Sequence, residues 1–177
     1  MPNDNQTNID IQLNTLAQND IFQLIGIKEI SAEKRLELLS KMQELLINDF
    51  FVNDLPKLLN EQEIKEFEKL HTDKASPEIV VNTLRAKVPD IEDRMYEKSM
   101  DFKQKFVVNQ LEQNVQVLEK KMEMLKDGSF PTDKIPNGNV NEELLKVNKH
   151  KVKLRMVVQH YKAGQWAEGY AILSAGK

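Results

Sequence analysis

Cysteine is absent from this 177-residue chain, and its absence excludes several kinds of chemistry. Without a thiol there is no disulfide framework, no cysteine-ligated zinc or iron–sulfur site, and no thiol nucleophile. Long apolar runs are also missing, and the longest covers only Tyr170 to Leu173. A membrane-spanning helix needs about 20 consecutive apolar residues, so the sequence predicts no membrane segment.

The first residues lack the basic start and the apolar stretch of a secretory signal. Together with the absence of cysteine, this predicts a protein of the reducing cytoplasm. Residues 1–20 are dominated by Asn, Gln and Asp, and they offer little apolar surface to bury. Such a segment does not offset its ordering entropy, so the sequence predicts a flexible polar arm. The arm is either a plain disordered tail or a segment that docks when a partner arrives.

From residue 21 onward the apolar residues recur with helical spacing. Helix start signals occur at Ser31, Asn60 and Ser76, and Pro89 marks the end of a helix. These signals predict helices over about 32–53, 60–70 and 77–88. In the first of them, one face carries Leu36, Leu39, Met42 and Leu46.

The longest predicted helix runs over residues 90–126, and its second half carries an apolar heptad seam. That seam consists of Val108, Leu111, Val115, Leu118, Met122 and Leu125. A loop at 127–140, rich in Gly and Pro, precedes a further helix with a seam of equal length. Its seam positions are Leu144, Val147, Lys151, Leu154, Val158 and Tyr161. The two seams predict an antiparallel helical hairpin, in which Lys151 either snorkels or pairs with an opposing Glu.

The predicted fold is therefore all-α. A compact N-terminal multi-helix domain over residues 21–106 continues into the long helix. Residues 107–177 form the hairpin, its loop and a short terminal helix around Trp166. We expect the first half of the long helix to pack on the preceding helices and the second half to project.

Four stretches resemble a known family, and they stand before or within the predicted helices. They read IFQLIGI at 21–27, SAEKRLELLSKMQELL at 31–46, LLNEQEIKEFEKL at 58–70 and SPEIVVNTLRAKVPDIED at 76–93. The chain over about residues 20–106 resembles a small all-helical domain of unknown function, common in bacteria of the candidate phyla radiation (Patescibacteria). The resemblance implies an all-α fold, and it supplies neither a substrate nor a catalytic residue.

A second likeness is local. Residues 161–169, which read YKAGQWAEG, are similar to the turn between the two helices of a tetratricopeptide repeat. In that turn a small residue usually stands at the place of Gly169. The chain has one copy, whereas a solenoid needs about three, so we interpret the segment as an ordinary helix–turn–helix.

Patterns that carry catalytic or metal chemistry are incomplete. Glu68 and His71 fit the Glu-x-x-His pair of di-iron bundles, but no second pair accompanies them. No glycine-rich phosphate loop is present, and no Ser stands out beside a His. The sequence thus predicts no enzyme activity, no cofactor and no metal site.

Charge is distributed unevenly along the chain. Residues 144–177 contain seven basic residues and one acidic residue, and the remainder contains 18 basic and 27 acidic residues. The candidate binding residues for nucleic acid or a partner are Lys146, Lys149, His150, Lys153, Arg155, Tyr161 and Trp166. In one interpretation these lysines only solvate a helix face and balance the acidic remainder. In the other, they neutralise phosphates while Tyr161, Trp166 and Tyr170 stack on bases.

These observations favour a non-enzymatic helical module for protein–protein interaction, with an unknown protein partner or a second copy of itself. The alternative is an RNA- or ribosome-associated protein that binds through the basic helix at 144–162. An overall pI near 5.7 favours the first hypothesis.

Overall fold

The structure, a computed structural model, describes residues 4–27 and 29–175, with the side chains of residues 4–6, 71 and 77 left out. Within these residues every regular element is helical, which confirms the predicted all-α fold. The side chain of His71, and with it the predicted Glu68–His71 pair, lies outside the described part of the chain. The α-helices are α1 (Asp4–Gln18), α2 (Ile21–Leu24), α3 (Ala32–Asp49), α4 (Leu55–Leu58), α5 (Glu61–Thr72), α6 (Pro77–Lys87), α7 (Ile91–Asp127), α8 (Val140–Lys162) and α9 (Trp166–Ser174).

The predicted helix starts are confirmed by hydrogen bonds at the N-caps. The Ser31 hydroxyl accepts from the backbone N–H of Lys34 at 3.3 Å, and the Ser76 hydroxyl accepts from that of Ile79 at 3.4 Å. At α5, Asn60 Oδ1 accepts from the N–H of Glu63, and Glu63 Oε2 accepts from the N–H of Asn60, each at 3.0 Å. Each bond satisfies an N–H that the helix itself leaves without a partner.

The end of α3 differs from the prediction. The α-helix stops at Asp49 and continues as a π-helical turn over Phe50–Asp54 before α4 begins. In this turn the N–H of Leu55 donates to the carbonyl of Phe50, five residues back. Pro56, which lacks an N–H, then lies in the first turn of α4, where none is needed. The chain thus stays helical where the proline predicted a break.

The described residues group into two compact units, and one of them is the continuous segment 30–102. Its core consists of Phe50, Leu55, Leu59, Leu84, Val88 and Ile91. Helix α3 adds no buried side chain to this core, and Leu36 on its predicted apolar face is 69% exposed. The periodicity correctly indicates an amphipathic helix, but the face is covered only in part: Met42 and Leu46 are half-buried, whereas Leu36 and Leu39 are exposed.

The other unit combines residues 4–27 and 29 with residues 103–175. In it, the second half of α7 and α8 form the predicted antiparallel hairpin, which is confirmed. Lys121 Nζ lies 2.6 Å from Glu143 Oε1, and Glu112 pairs with Lys162, so early positions of one helix meet late positions of the other. Every position of the two predicted seams is buried or half-buried, including Lys151. The hairpin does not project alone, because α1, α2 and α9 belong to the same compact unit.

Helix α1 corrects the expected flexible arm for residues 4–18. Leu16 is completely buried, and Gln12 Oε1 accepts the backbone N–H of Ala167 at 2.8 Å. That N–H belongs to the first turn of α9, for which Gln165 provides no side-chain cap. Gln12 also donates to Glu168 at 3.2 Å, and Lys103 donates to the carbonyl of Ala17 at 3.3 Å. One buried leucine and several nonlocal hydrogen bonds therefore hold a segment whose composition predicts disorder. Residues 1–3 of the predicted arm lie outside the described residues.

The two compact units also differ from the predicted domains, because residues 21–27 group with the hairpin instead of with residues 30–102. Tyr161 contributes to this grouping: its O–H donates to the carbonyl of Leu24 at 3.2 Å. Over the described ranges, no helix is both long enough and apolar enough to cross a membrane.

Candidate partner-binding cleft

A cleft of about 670 Å³ lies in the unit that contains the hairpin. Its walls are formed by α7, α8, α9 and the turn that follows α2. The basic side chains at the cleft are Lys149, His150 and Lys153. The apolar side chains are Ile25, Ile27, Val117, Leu118, Leu154 and Leu173. We call this site the basic cleft.

The turn after α2 places two isoleucines in the basic cleft. Asp20 and Gln23 cap the start of α2 reciprocally, each at 2.9 Å. At its end Gly26 has φ of +79°, and the N–H of Ile27 reaches back to the carbonyl of Phe22 at 2.8 Å. A Cβ at Gly26 would also come within 3.1 Å of Leu173. Glycine adopts this backbone angle without strain, and a Cβ here would make a tight contact with the end of the Leu173 side chain.

Helix α8 supplies the three basic groups from one side of the hairpin. Positions 149, 150 and 153 lie on neighbouring turns, so their side chains project in similar directions. Lys149 and His150 are exposed, and in the described part of the chain neither forms an ion pair. Lys153 is half-buried and donates to the carbonyl of Ala175 at 2.6 Å. The cleft therefore presents uncompensated positive charge.

The apolar part of the cleft is partly open to solvent. Val117 of α7 is 64% exposed and Ile27 is 42% exposed, although both line the same concavity as Lys149. Burying such side chains under a ligand is favourable, by about 25 cal/mol for each Å² of apolar surface removed from water. Both apolar groups and negatively charged groups on a ligand would therefore strengthen its binding in this cleft.

Two of the predicted site residues belong to the core instead. Tyr161 is 2% exposed and Trp166 is 3% exposed, and their rings stack on each other at 4.4 Å between centroids. Burial raises the pKa of Tyr161 far above its ordinary value of 10.0, and the nearby Tyr170 raises it further. Neither ring is available to a base, so the predicted stacking role is wrong. The aromatic spacing is a consequence of α9 folding back on α8.

The other predicted residues are not all at the cleft. Lys146 is exposed one turn before Lys149 but does not line the concavity. Arg155 forms an ion pair with Glu119 of α7. Three cleft residues were not predicted from the sequence: Ile25, Ile27 and Val117. The first two were visible as the apolar residues around Gly26, and Val117 was visible as a valine outside the heptad seam.

Groups that could hold a metal are not assembled in the described residues, where no three His, Asp or Glu side chains form such a cluster. Comparisons of the chain with protein-family models, with curated proteins and with solved structures find no match. The likeness of residues 20–106 to an all-helical family therefore stays a prediction.

Proposed function

We propose that this chain is a non-enzymatic interaction protein whose basic cleft binds an acidic segment of a partner protein. The segment carries Asp or Glu together with aliphatic side chains. One observation supports this above the others: Lys149 and His150 stand without carboxylate partners beside the exposed Val117 and Ile27. The carboxylates of the partner meet the basic groups, and its aliphatic side chains cover the apolar surface.

RNA binding through residues 144–162 is the alternative, and the geometry favours it less. Single-stranded nucleic acid binds through a basic groove combined with exposed aromatic rings. Here Tyr161 and Trp166 are buried, and the cations of Arg155 and Lys162 are already paired with glutamates of α7. The remaining exposed apolar groups at the cleft are aliphatic, and these suit protein side chains.

A peptide-binding experiment tests the proposal. The probes are a fluorescent peptide of alternating Glu and Leu, the same peptide with Lys in place of Glu, and a single-stranded oligouridylate. We expect the Glu/Leu peptide to bind the full chain and the Lys/Leu peptide to bind at least about tenfold more weakly, measured by fluorescence anisotropy. That ratio corresponds to about 1.4 kcal/mol, the size expected from two or three charge contacts at a partly exposed site.

The variants separate the cleft from general basic charge. Lys149→Glu should weaken binding of the Glu/Leu peptide by about tenfold. Lys146→Glu makes the same charge change outside the cleft and should alter the affinity for this peptide by less than about twofold. Equal effects of the two variants would show that the peptide does not bind in the cleft. Tighter binding of the oligouridylate, with an affinity that falls steeply with salt, would support RNA as the ligand instead.

A further inference from the structure

A second surface, in residues 30–102, has an apolar face without a partner. Helix α3 is 18 residues long, and none of its side chains is buried. Leu36 is 69% exposed, and Leu39, three residues later on the same side of the helix, is 36% exposed. Helices of this length are marginal in water on their own, and most helices in proteins are stabilised by packing of an apolar face. Further packing on α3 would therefore stabilise a helix that the fold leaves largely uncovered.

An open apolar groove of about 460 Å³ lies at the C-terminal end of this face. It is lined by Ile47 at the end of α3, by Phe51 of the π-helical turn and by Phe67 of α5, among others. The rings of Phe51 and Phe67 stack at 5.7 Å between centroids, so the two aromatic residues of the groove pack on each other. Leu36 and Ile47 are eleven residues apart, which places them on the same side of α3. The apolar strip of α3 thus leads into the groove.

Carboxylates border this groove on two helices. Glu68 of α5 lines it, and Glu61 lies two turns earlier on the same side of α5. On α3, Glu44 precedes Ile47 by three residues and is exposed. Among the described residues, none of these three carboxylates has a basic partner. The segment 30–102 contains 11 basic and 16 acidic residues, so the surrounding charge has the same sign.

We propose that this groove and the adjoining face of α3 bind an amphipathic helix of a partner protein. That helix carries aliphatic side chains on one face and Lys or Arg along its edges. The aliphatic side chains enter the groove over Phe51 and Phe67, and the cations meet Glu44, Glu61 and Glu68. This is the helix-in-groove mode of recognition, with charge complementarity at the edges.

A second copy of the chain is a poorer occupant than a basic helix. If two α3 helices packed antiparallel through this face, the edge that carries Glu44 would lie against the same edge of the other copy. The carboxylates of the two edges would then repel each other. The heptad seam of the basic helix α8 is buried at Val147, Leu154 and Val158, so the helix exposes only the separate stripe of Leu145, Val152 and Met156. A dimer through that stripe is the outcome that sedimentation detects. The site differs from the basic cleft in both position and charge, and the proposal does not depend on that cleft.

The test uses two synthetic helical peptides that differ only in charge. Both carry Leu at helical spacing, and one has Lys along both edges where the other has Glu. We expect the Lys peptide to bind the isotope-labelled full chain with a micromolar Kd, and the Glu peptide to bind at least about tenfold more weakly. Amide shifts in NMR spectra should be confined to residues 36–68 and to the vicinity of Val80, which also lines the groove. Equal binding of both peptides, or shifts outside these residues, would overturn the proposal.

Variants at exposed positions provide a check that does not risk the fold. Glu68→Lys and Glu44→Lys should each weaken binding of the Lys peptide by about threefold to tenfold. Leu36→Gln should weaken its binding to a similar extent. Asp133→Lys and Leu145→Gln make matched changes at exposed positions outside the groove, and they should leave its affinity unchanged. If sedimentation shows a dimer that Leu36→Gln dissociates, the face belongs to a second copy and the proposal is wrong.

Discussion

Gly169 lies directly against the ring of Tyr161, and a Cβ at position 169 would come within 2.5 Å of Cε1 of that ring. Ordinary Cβ contacts are never so close, and Tyr161 is held by its stacking on Trp166 and its hydrogen bond to Leu24. Helix α9 can therefore approach α8 only because residue 169 has no side chain. The likeness to a tetratricopeptide turn pointed to this same position.

Gly169→Ala should destabilise the protein by about 1–3 kcal/mol, because the new methyl group forces the packed rings apart. Helix propensity alone would favour Ala over Gly by about 1 kcal/mol, so the sign of the change is diagnostic. Urea denaturation followed by circular dichroism measures it. An unchanged or raised midpoint would mean that α9 does not pack on Tyr161 as described.

Leu111→Ala should lower the free energy of unfolding by about 3 kcal/mol, because Leu111 is completely buried in the hairpin seam. Val117→Ala, two turns later on α7, should change it by less than about 0.5 kcal/mol because Val117 is exposed. The same Val117 variant should weaken binding of the Glu/Leu peptide to the basic cleft. Similar losses of stability from both substitutions would contradict the seam.

Lys151→Leu should stabilise the hairpin by about 1 kcal/mol, since a half-buried seam position then buries an aliphatic side chain. No ion pair is lost, because Lys151 has no acidic partner among the described residues. Lys146→Leu serves as the control: it makes the same change at an exposed position of α8 and should give no gain. Thermal and urea unfolding of both variants measure the difference.

The Lys121–Glu143 pair should make stability depend on pH in the acid range. The hydrogen bond from Lys121, at 2.6 Å, lowers the pKa of Glu143 below its ordinary value of 4.5, although partial burial opposes the shift. Because the folded state lowers this pKa, the contribution is complete above pH 4.5 and is lost as the pH falls through the folded value.

Glu143→Gln should therefore lower Tm at neutral pH and reduce the loss of Tm on acidification. Glu123→Gln, at an exposed position of α7, is the matched control and should do neither. Melting curves from neutral pH into the acid range measure both variants. If Glu143→Gln keeps the full acid sensitivity of the unmodified protein, the pair does not carry the effect.

Local signals predicted the helices and the hairpin well, because caps, prolines and heptad spacing act within a few residues. Val115 and Val158 were placed in the seams by spacing alone, and both are buried. The exposure of helix faces and the contacts between distant segments depend on nonlocal packing. Spacing showed that Leu36 belongs to an amphipathic face but not that the face lacks a partner, and composition did not predict that Gln12 would cap α9.

The candidate site was predicted only in part, because some of its residues are placed by local spacing and others by nonlocal packing. The exposure of Lys149 and His150 follows from their position on α8 outside the seam. The burial of Trp166 depends on where α9 folds, and the contribution of Ile27 depends on the turn after α2 meeting the hairpin. Contacts between segments more than a hundred residues apart have no local sequence signal.

The compact unit that holds the hairpin is interrupted in sequence by residues 30–102. During synthesis the interrupting segment emerges from the ribosome whole, before α8 and α9 have been translated. Helix α1 emerges before that segment, yet it acquires its contact with Ala167 only after residue 167 has been translated. Until then Gln12 lacks its partner in α9, so nascent chains stalled before α9 should be cleaved by proteases within α1 more readily than the complete fold.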